Sequence, residues 1–351
     1  MNKASFDLNA LVRENVRQMK PYSSARDEFT DFEADMVFLD ANENPFENGV
    51  NRYPDPRQRN LKAQLSKVKR VPMNQILLGN GSDEVLDLIV RAFCEPGRDN
   101  IITLPPTYGM YKVLAATNAV ECREVLLTEN FQIDLEGVRA AVDGHTKIIF
   151  LCSPNNPTGN LLQEEEVRQI LESFNGLVVI DEAYIDFASS KSWSQQLSDY
   201  PNLIVCQTLS KAYGLAGIRL GMCFATEEVI AVLQKIKPPY NVNELTQKSA
   251  LERVLDQKTI KDEITLILVG KEELSKALLE VNFVDEVFPS EANFILARVQ
   301  DANRVYQQLI DLGVVVRNRS TQPRCESTLR FTVGTPEENK KLINALKTLN
   351  T

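Results

Sequence analysis

Three short runs with no polar residue do most to limit what this chain can fold into. They are Ile148-Ile149-Phe150-Leu151, Leu177-Val178-Val179-Ile180 and Leu203-Ile204-Val205-Cys206. A strand with one wet face alternates polar and apolar residues, so a strand that is apolar throughout must be covered on both sides. A fourth short strand, Ile101-Ile102-Thr103-Leu104, is stopped by Pro105-Pro106. Amphipathic stretches separate these runs. Ser82-Asp83 opens a helix with Val85, Leu86, Leu88, Ile89 and Phe93 on its apolar side, and Glu164 to Phe174 is another helix. Buried strands alternating with helices imply an α/β fold, with a mainly parallel sheet covered by helices on both faces.

Past about Pro238 the pattern changes. Two longer helices are expected at Asn243 to Leu255 and Thr259 to Leu279. A compact α/β unit follows, with strands at Phe294 to Val299, Val314 to Val316 and Thr328 to Val333 and a helix at Ala302 to Leu312. The last helix opens with Thr335-Pro336-Glu337-Glu338, a capping box with proline at the first helical position. A chain of 351 residues is long enough for one large and one smaller domain. The expected organisation is an N-terminal arm over 1–34 that packs with the small domain, a large domain over 35–240 and a small C-terminal domain over 241–351.

Charge and residue usage exclude several functions. The formal charge of −9 argues against nucleic-acid binding, which favours a basic face. No apolar run approaches the roughly 20 residues of a membrane span, and Met1 to Gln18 lack the apolar middle of a secretion signal. The cysteines at 94, 122, 152, 206, 223 and 325 form no CxxC pair, so neither a zinc site nor a disulfide framework is expected. A cytoplasmic protein without a metal is the expectation. The only histidine, His145, sits in the polar turn Asp143-Gly144-His145-Thr146. A Ser-His-Asp hydrolase or a multi-histidine metal site would have to rest on it alone, so proton transfer here falls to another group.

The stretch Thr208-Leu209-Ser210-Lys211-Ala212-Tyr213-Gly214-Leu215-Ala216-Gly217-Ile218-Arg219 follows one of the apolar runs. A lysine there, followed by small residues that let the backbone approach a flat ligand, can have a desolvated amine of depressed pKa. Such an amine suits Schiff-base chemistry with an aldehyde. Ser210 and Arg219 flank it and can hold a phosphate through charge-assisted hydrogen bonds. Asp181-Glu182-Ala183-Tyr184 ends another run, at the carboxyl edge where α/β sheets bind ligands; a cap or a loop salt bridge would also explain the aspartate. Asn155-Asn156-Pro157-Thr158-Gly159 is a turn after a third run. Gly79-Asn80-Gly81-Ser82-Asp83-Glu84 combines a tight turn with the free N–H groups of a helix start, which makes an anion site or a plain cap. Its glycines do not extend to GxGxxG, so a dinucleotide fingerprint is absent. Tyr108, after Pro105-Pro106-Thr107, is an aromatic at a strand end.

The order and spacing of these pieces resemble the fold-type I, class II aminotransferases along nearly the whole chain, and the lysine stretch resembles their cofactor-lysine motif. Further pieces narrow the resemblance to the histidinol-phosphate aminotransferase family. These are Arg13-Glu14-Asn15-Val16-Arg17 with Lys20-Pro21-Tyr22, Leu39-Asp40-Ala41-Asn42-Glu43-Asn44-Pro45, Arg52-Tyr53-Pro54-Asp55-Pro56, Val316-Arg317 and Leu329-Arg330-Phe331-Thr332-Val333-Gly334-Thr335.

The resemblance implies a fold-type I pyridoxal 5'-phosphate (PLP) transferase. Lys211 would carry the cofactor as a Schiff base and shuttle the proton. Asp181 would pair with the ring nitrogen, Asn156 and Tyr184 with the ring oxygen, and Tyr108 would stack on the ring. Ser82 and Asp83 by their backbone, with Ser210 and Arg219, would hold the phosphate. Serine at 82 replaces the alanine often seen in the family, which matters little where the backbone does the binding. Tyr53 would reach the cofactor phosphate of a neighbouring subunit, implying a homodimer with composite sites. Tyr22, Asn44, Arg317 and Arg330 would line the substrate site. The implied reaction moves an amino group between L-glutamate and imidazole-acetol phosphate, giving 2-oxoglutarate and L-histidinol phosphate. An aromatic aminotransferase and a threonine-phosphate decarboxylase share the scaffold and are the alternatives. A non-enzymatic regulator on the same fold is more remote, since Lys211 and Asp181 are both present.

Overall fold

The structure is a computed structural model and describes residues 6–22, 26 and 37–349. The expected boundary between 34 and 35 lies outside those residues. The helices are α1 (Leu8–Leu11), α2 (Glu14–Gln18), α3 (Arg59–Lys69), α4 (Ser82–Phe93), α5 (Met110–Thr117), α6 (Leu135–Ala141), α7 (Glu164–Ser173), α8 (Glu227–Ile236), α9 (Glu244–Leu255), α10 (Gln257–Leu279), α11 (Ala302–Asp311) and α12 (Pro336–Leu349). The strands are β1 (Ile76–Gly79), β2 (Asn100–Thr103), β3 (Glu121–Glu124), β4 (Thr146–Cys152), β5 (Leu177–Asp181), β6 (Leu203–Thr208), β7 (Gly221–Phe224), β8 (Val284–Val287), β9 (Phe294–Val299), β10 (Arg317–Asn318) and β11 (Thr328–Thr332).

β1 to β7 form one sheet in the order β1-β7-β6-β5-β4-β2-β3. It is parallel except for β7, which runs antiparallel to both β6 and β1. The apolar runs fill its centre, and their side chains divide between two cores with period two. Ile149, Leu151, Val178, Ile180, Leu203 and Val205 face one core, beside Leu61 and Leu65 of α3 and Ile170 of α7. Ile148, Phe150, Leu177, Val179 and Ile204 face the other, beside Leu86 and Ile89 of α4 and Ile230 and Leu233 of α8. Each such fully buried side chain stabilises the fold by about 1.5–3 kcal/mol, and the polar residues of these strands fall only at their ends.

A second sheet is antiparallel throughout, in the order β10-β11-β9-β8. Its core joins Ile295, Leu329 and Phe331 to Leu274 of α10, Leu309 of α11 and Leu342 of α12. The expected strand at Val314 to Val316 is displaced. Pairing with β11 begins only at Arg317, opposite Arg330, and Val315 is exposed. The valines have strand propensity, but the ladder partner that would realise it starts three residues later.

The arm packs differently from expectation. Val12 and Val16 are buried in the core of α4 and α8. The Arg13 N–H donates to the Ala92 carbonyl at 3.1 Å, and the Arg13 guanidinium pairs with Glu95 at 3.3 Å. The described arm therefore lies on the helices of the large sheet, not with the small sheet. Val12 lies in the extended link between α1 and α2 and Val16 lies on α2, and the two fill one groove together. Residues past 240 also start on the large sheet, where Val242, Ala250 and Val254 join its core. Among the described residues, no helix is long and apolar enough to cross a membrane.

Candidate active site

The site forms at the carboxyl edge of the large sheet. Gly81, with φ of +85°, turns the chain from β1 into α4. A Cβ on Gly221 would stand 2.2 Å from the Ser82 nitrogen, so only glycine lets β7 lie this close to the helix start. The first amides of α4 have no intrahelical partner and face the cleft beside Arg219, whose own φ is +55°. The Arg219 guanidinium lies 3.7 Å from the Asp83 carboxylate, and Asp83 also accepts from the Tyr108 hydroxyl at 3.1 Å. Ser210 Oγ is 3.0 Å from Thr208 Oγ1.

Asp181 ends β5 and is almost fully buried. It accepts from the Tyr111 hydroxyl at 2.8 Å and from the Ala183 N–H at 3.0 Å. Burial nevertheless outweighs both bonds and pushes its carboxyl up to about 6. It forms no ion pair among the described residues; the Lys211 charge across the cleft only partly offsets its burial. Tyr111 is fixed in turn, stacked on Phe150 at 4.9 Å and meeting Tyr108 edge-on at 5.6 Å.

Lys211 Nζ lies 5.7 Å from the Tyr184 ring centroid. Burial first, and then the Arg330 charge, lower its pKa. Tyr184 packs edge-on against Phe294 at 5.1 Å. The turn after β4 divides its labour between two asparagines. Asn155 staples it, donating to the Pro106 carbonyl at 2.8 Å and to Thr158 Oγ1 at 2.7 Å. That leaves Asn156 in the cleft, where its side-chain oxygen accepts from the Arg330 guanidinium.

These groups line one cleft of about 400 Å³. Ser82, Asp83, Tyr108, Asn156, Asp181, Tyr184, Ser210, Lys211, Arg219, Arg317 and Arg330 all face it. Tyr22, Asn44 and Tyr53 do not. Tyr22 is 73% exposed, the Asn44 side chain accepts from the Phe46 N–H at 3.0 Å, and Tyr53, 51% exposed, stacks on Tyr240 at 4.4 Å. A single chain does not bring these three residues to the cleft. Sequence reasoning missed Tyr111 and Arg319. Tyr111 lies one helical turn beyond Tyr108, and Arg319 lies two residues beyond Arg317, on the same face of an extended strand.

Lys211, Arg219, Arg317, Arg319 and Arg330 outnumber Asp83 and Asp181 around the cleft, so an acidic chain carries a locally cationic pocket. Its ends differ. One offers helix amides, a hydroxyl and Arg219; the other offers three arginines. Between them lie an amine of lowered pKa and a buried carboxylate.

A profile of the class I and II aminotransferase family matches residues 34–346. The histidinol-phosphate aminotransferase of Flavobacterium johnsoniae is 65% identical to this chain over 347 residues, covering 99% of each. Among solved structures, the histidinol-phosphate aminotransferase from Clostridium acetobutylicum aligns with a TM-score of 0.79 at 25% identity, covering 86% of this chain and 91% of that one. The enzyme from Sinorhizobium meliloti, solved in complex with pyridoxal-5'-phosphate, aligns with a TM-score of 0.78 at 25% identity, covering 85% and 83%.

Proposed function

This chain belongs to the class I and II aminotransferases, in their histidinol-phosphate aminotransferase family, and on that premise we propose that it moves an amino group reversibly between L-glutamate and imidazole-acetol phosphate. The products are 2-oxoglutarate and L-histidinol phosphate, and the reaction is a step of histidine biosynthesis. The observation that carries this reading is the placing of Lys211 and Asp181 in one cleft with three arginines that form no ion pair among the described residues.

The donor set fits pyridoxal 5'-phosphate. The Ser82 and Asp83 amides, Ser210 and Arg219 suit its phosphate, at a turn where Gly81 holds a positive φ and Gly221 leaves no room for a Cβ. The unpaired Asp181 carboxylate suits a cationic ring nitrogen, while Asn156 and Tyr184 suit the ring oxygen and Tyr108 the ring face. When bound, the cofactor supplies an electron sink for the bond broken at the substrate α-carbon.

The chain's own residues do the rest. Burial and the Arg330 charge disfavour the ammonium form of Lys211, which suits its amine to take the α-carbon proton, and its place in the cleft suits it to return that proton elsewhere. Tyr111 and the Ala183 amide fix the orientation of Asp181. Arg317 and Arg330 pair with the anionic group of either substrate, since a guanidinium fork matches carboxylate and phosphate alike.

The test is a product assay. The purified protein, incubated with L-histidinol phosphate and 2-oxoglutarate, should form glutamate. Phenylalanine or threonine phosphate in place of L-histidinol phosphate should give much slower turnover or none. Faster transfer from phenylalanine would favour an aromatic aminotransferase, and carbon dioxide released from threonine phosphate a decarboxylase.

The proposed active unit is a homodimer in the cytoplasm, with Tyr53 reaching the cofactor phosphate of the other subunit. In support, Leu39, Phe46, Val50 and Tyr53 leave one segment with four large exposed apolar side chains, the kind of surface that marks a protein–protein contact when gathered into one patch. Tyr53→Phe should weaken cofactor retention. Sedimentation should give a dimer, and a fully active monomer would exclude the composite site.

A further inference from the structure

Arg319 extends β10, since its N–H donates to the Thr328 carbonyl at 2.9 Å. Alternate residues of an extended strand share a face, so Arg317 and Arg319 point the same way. Arg330 stands directly opposite Arg317 in the antiparallel register. All three line the cleft. Like charges directly opposite one another destabilise a sheet. None of the three forms an ion pair among the described residues. The Nε atoms of Arg319 and Arg330 are buried without a hydrogen-bond partner, and Arg330 makes one polar side-chain contact, to Asn156. Burial, reinforced by the charges of Arg330 and Arg317, pulls Arg319 down to about 10. Shielded arginines elsewhere in the chain have carboxylates: Arg13 has Glu95, Arg253 has Glu263, and Arg26 has both Asp40 and Glu43.

A carboxylate is satisfied by one guanidinium fork. A phosphate monoester dianion offers three terminal oxygens and two charges, and it can occupy more than one fork. We propose that Arg319 is a specificity-determining residue, which adds the donor that a phosphate monoester uses and a carboxylate does not. It thereby sets the preference of the cleft for the phosphate-bearing substrate. This deepens the reaction proposed above and rests on it.

The experiment compares Arg319→Gln and Arg319→Lys with the parent as cofactor-saturated holoenzymes, after melting temperature and cofactor absorbance have shown that each is folded and loaded. Single-turnover half-reactions are measured with L-histidinol phosphate and with L-glutamate. Inorganic phosphate is titrated as an inhibitor of the glutamate half-reaction; the cofactor already fills its own phosphate site, so this inhibition reports the arginine end. In Arg319→Gln, apparent affinity for L-histidinol phosphate and for inorganic phosphate should fall about tenfold or more, and the loss for glutamate should be several-fold smaller. Arg319→Lys should recover part of the difference, because an ammonium keeps the charge without the fork. Equal losses for both substrates, or no loss of phosphate inhibition, would overturn the proposal. A parent that fails to turn over L-histidinol phosphate would instead overturn the reaction assigned above. The phosphate-inhibition arm would still judge Arg319.

Discussion

Lys211→Ala is expected to end amino transfer in both half-reactions, by at least about four orders of magnitude, while leaving a folded protein that still takes up pyridoxal phosphate. The folded state should survive because the loop around Lys211 is held by its backbone. The Leu209 N–H donates to the Leu220 carbonyl at 3.1 Å, the Leu215 N–H to the Leu209 carbonyl at 3.0 Å, and the Gly214 N–H to the Lys211 carbonyl at 3.0 Å. Truncating the lysine leaves no buried acceptor stranded, and the amides of α4, Ser210 and Arg219 remain to hold the phosphate. Borohydride reduction of the parent followed by peptide mapping should place the cofactor on Lys211. The informative rival is Lys62, which burial and the nearby Lys237 charge depress to about 8. Lys62 is buried on α3 and does not line the cleft, so an adduct there would show that a low pKa, rather than the cleft, selects the reactive amine.

Legibility in the sequence follows the physics of each element. β4, β5 and β6 are readable because burial on both faces leaves an unbroken apolar run. β3 is not, since Glu121-Cys122-Arg123-Glu124 is an edge strand whose side chains are exposed or half-buried. β1 and β7 carry glycines at their paired ends, Gly79 opposite Gly221; a Cβ on Gly221 would strike Ser82 and one on Gly79 would strike Val85, and the glycines dilute the strand signal. Most cleft residues of the large sheet, such as Asn156, Asp181 and Lys211, were legible because they end a strand or follow closely on one, where chain order fixes the edge they reach. Tyr111 was hidden because its partner Asp181 is distant in sequence and only the fold brings the pair together. The placement of the arm was also hidden. Two valines mark an apolar contact without saying which groove receives it, and the choice falls to the surface between α4 and α8. Tyr22, Asn44 and Tyr53 lie away from the cleft within one chain, and under the proposed dimer Tyr53 would reach the cleft of the other subunit.

Asp181→Asn should lower the rate of both half-reactions by at least about a thousandfold, because a neutral amide cannot hold a proton on the ring nitrogen and the cofactor becomes a poor electron sink. The same substitution should not harm the cofactor-free protein, and that contrast separates a chemical role from a structural one. Asparagine has the same shape; its oxygen can accept from the Ala183 N–H and its amide can donate to the Tyr111 oxygen. Burial raises the folded-state pKa of Asp181 to about 6, above the ordinary carboxylate value of 3.8. A raised pKa means that the folded state binds the proton more tightly than the unfolded chain does. The associated stability is fully present below pH 3.8 and is lost as pH rises through about 6. In the cofactor-free parent at pH 7 the ionised carboxylate therefore costs up to about 3 kcal/mol relative to its protonated form. Cofactor-free Asp181→Asn, which carries no such charge, should melt at or above the parent temperature at pH 7–8, with the advantage shrinking as pH falls from about 6 towards 3.8. Cofactor binding should reverse the order, since a cation then stands opposite the carboxylate and the parent alone gains from it. Melting curves of both proteins, with and without pyridoxal phosphate across that pH range, together with single-turnover rates, decide the matter. Near-normal turnover in the variant, or a cofactor-free variant that melts well below the parent at pH 7, would make Asp181 a structural residue and remove it from the chemistry.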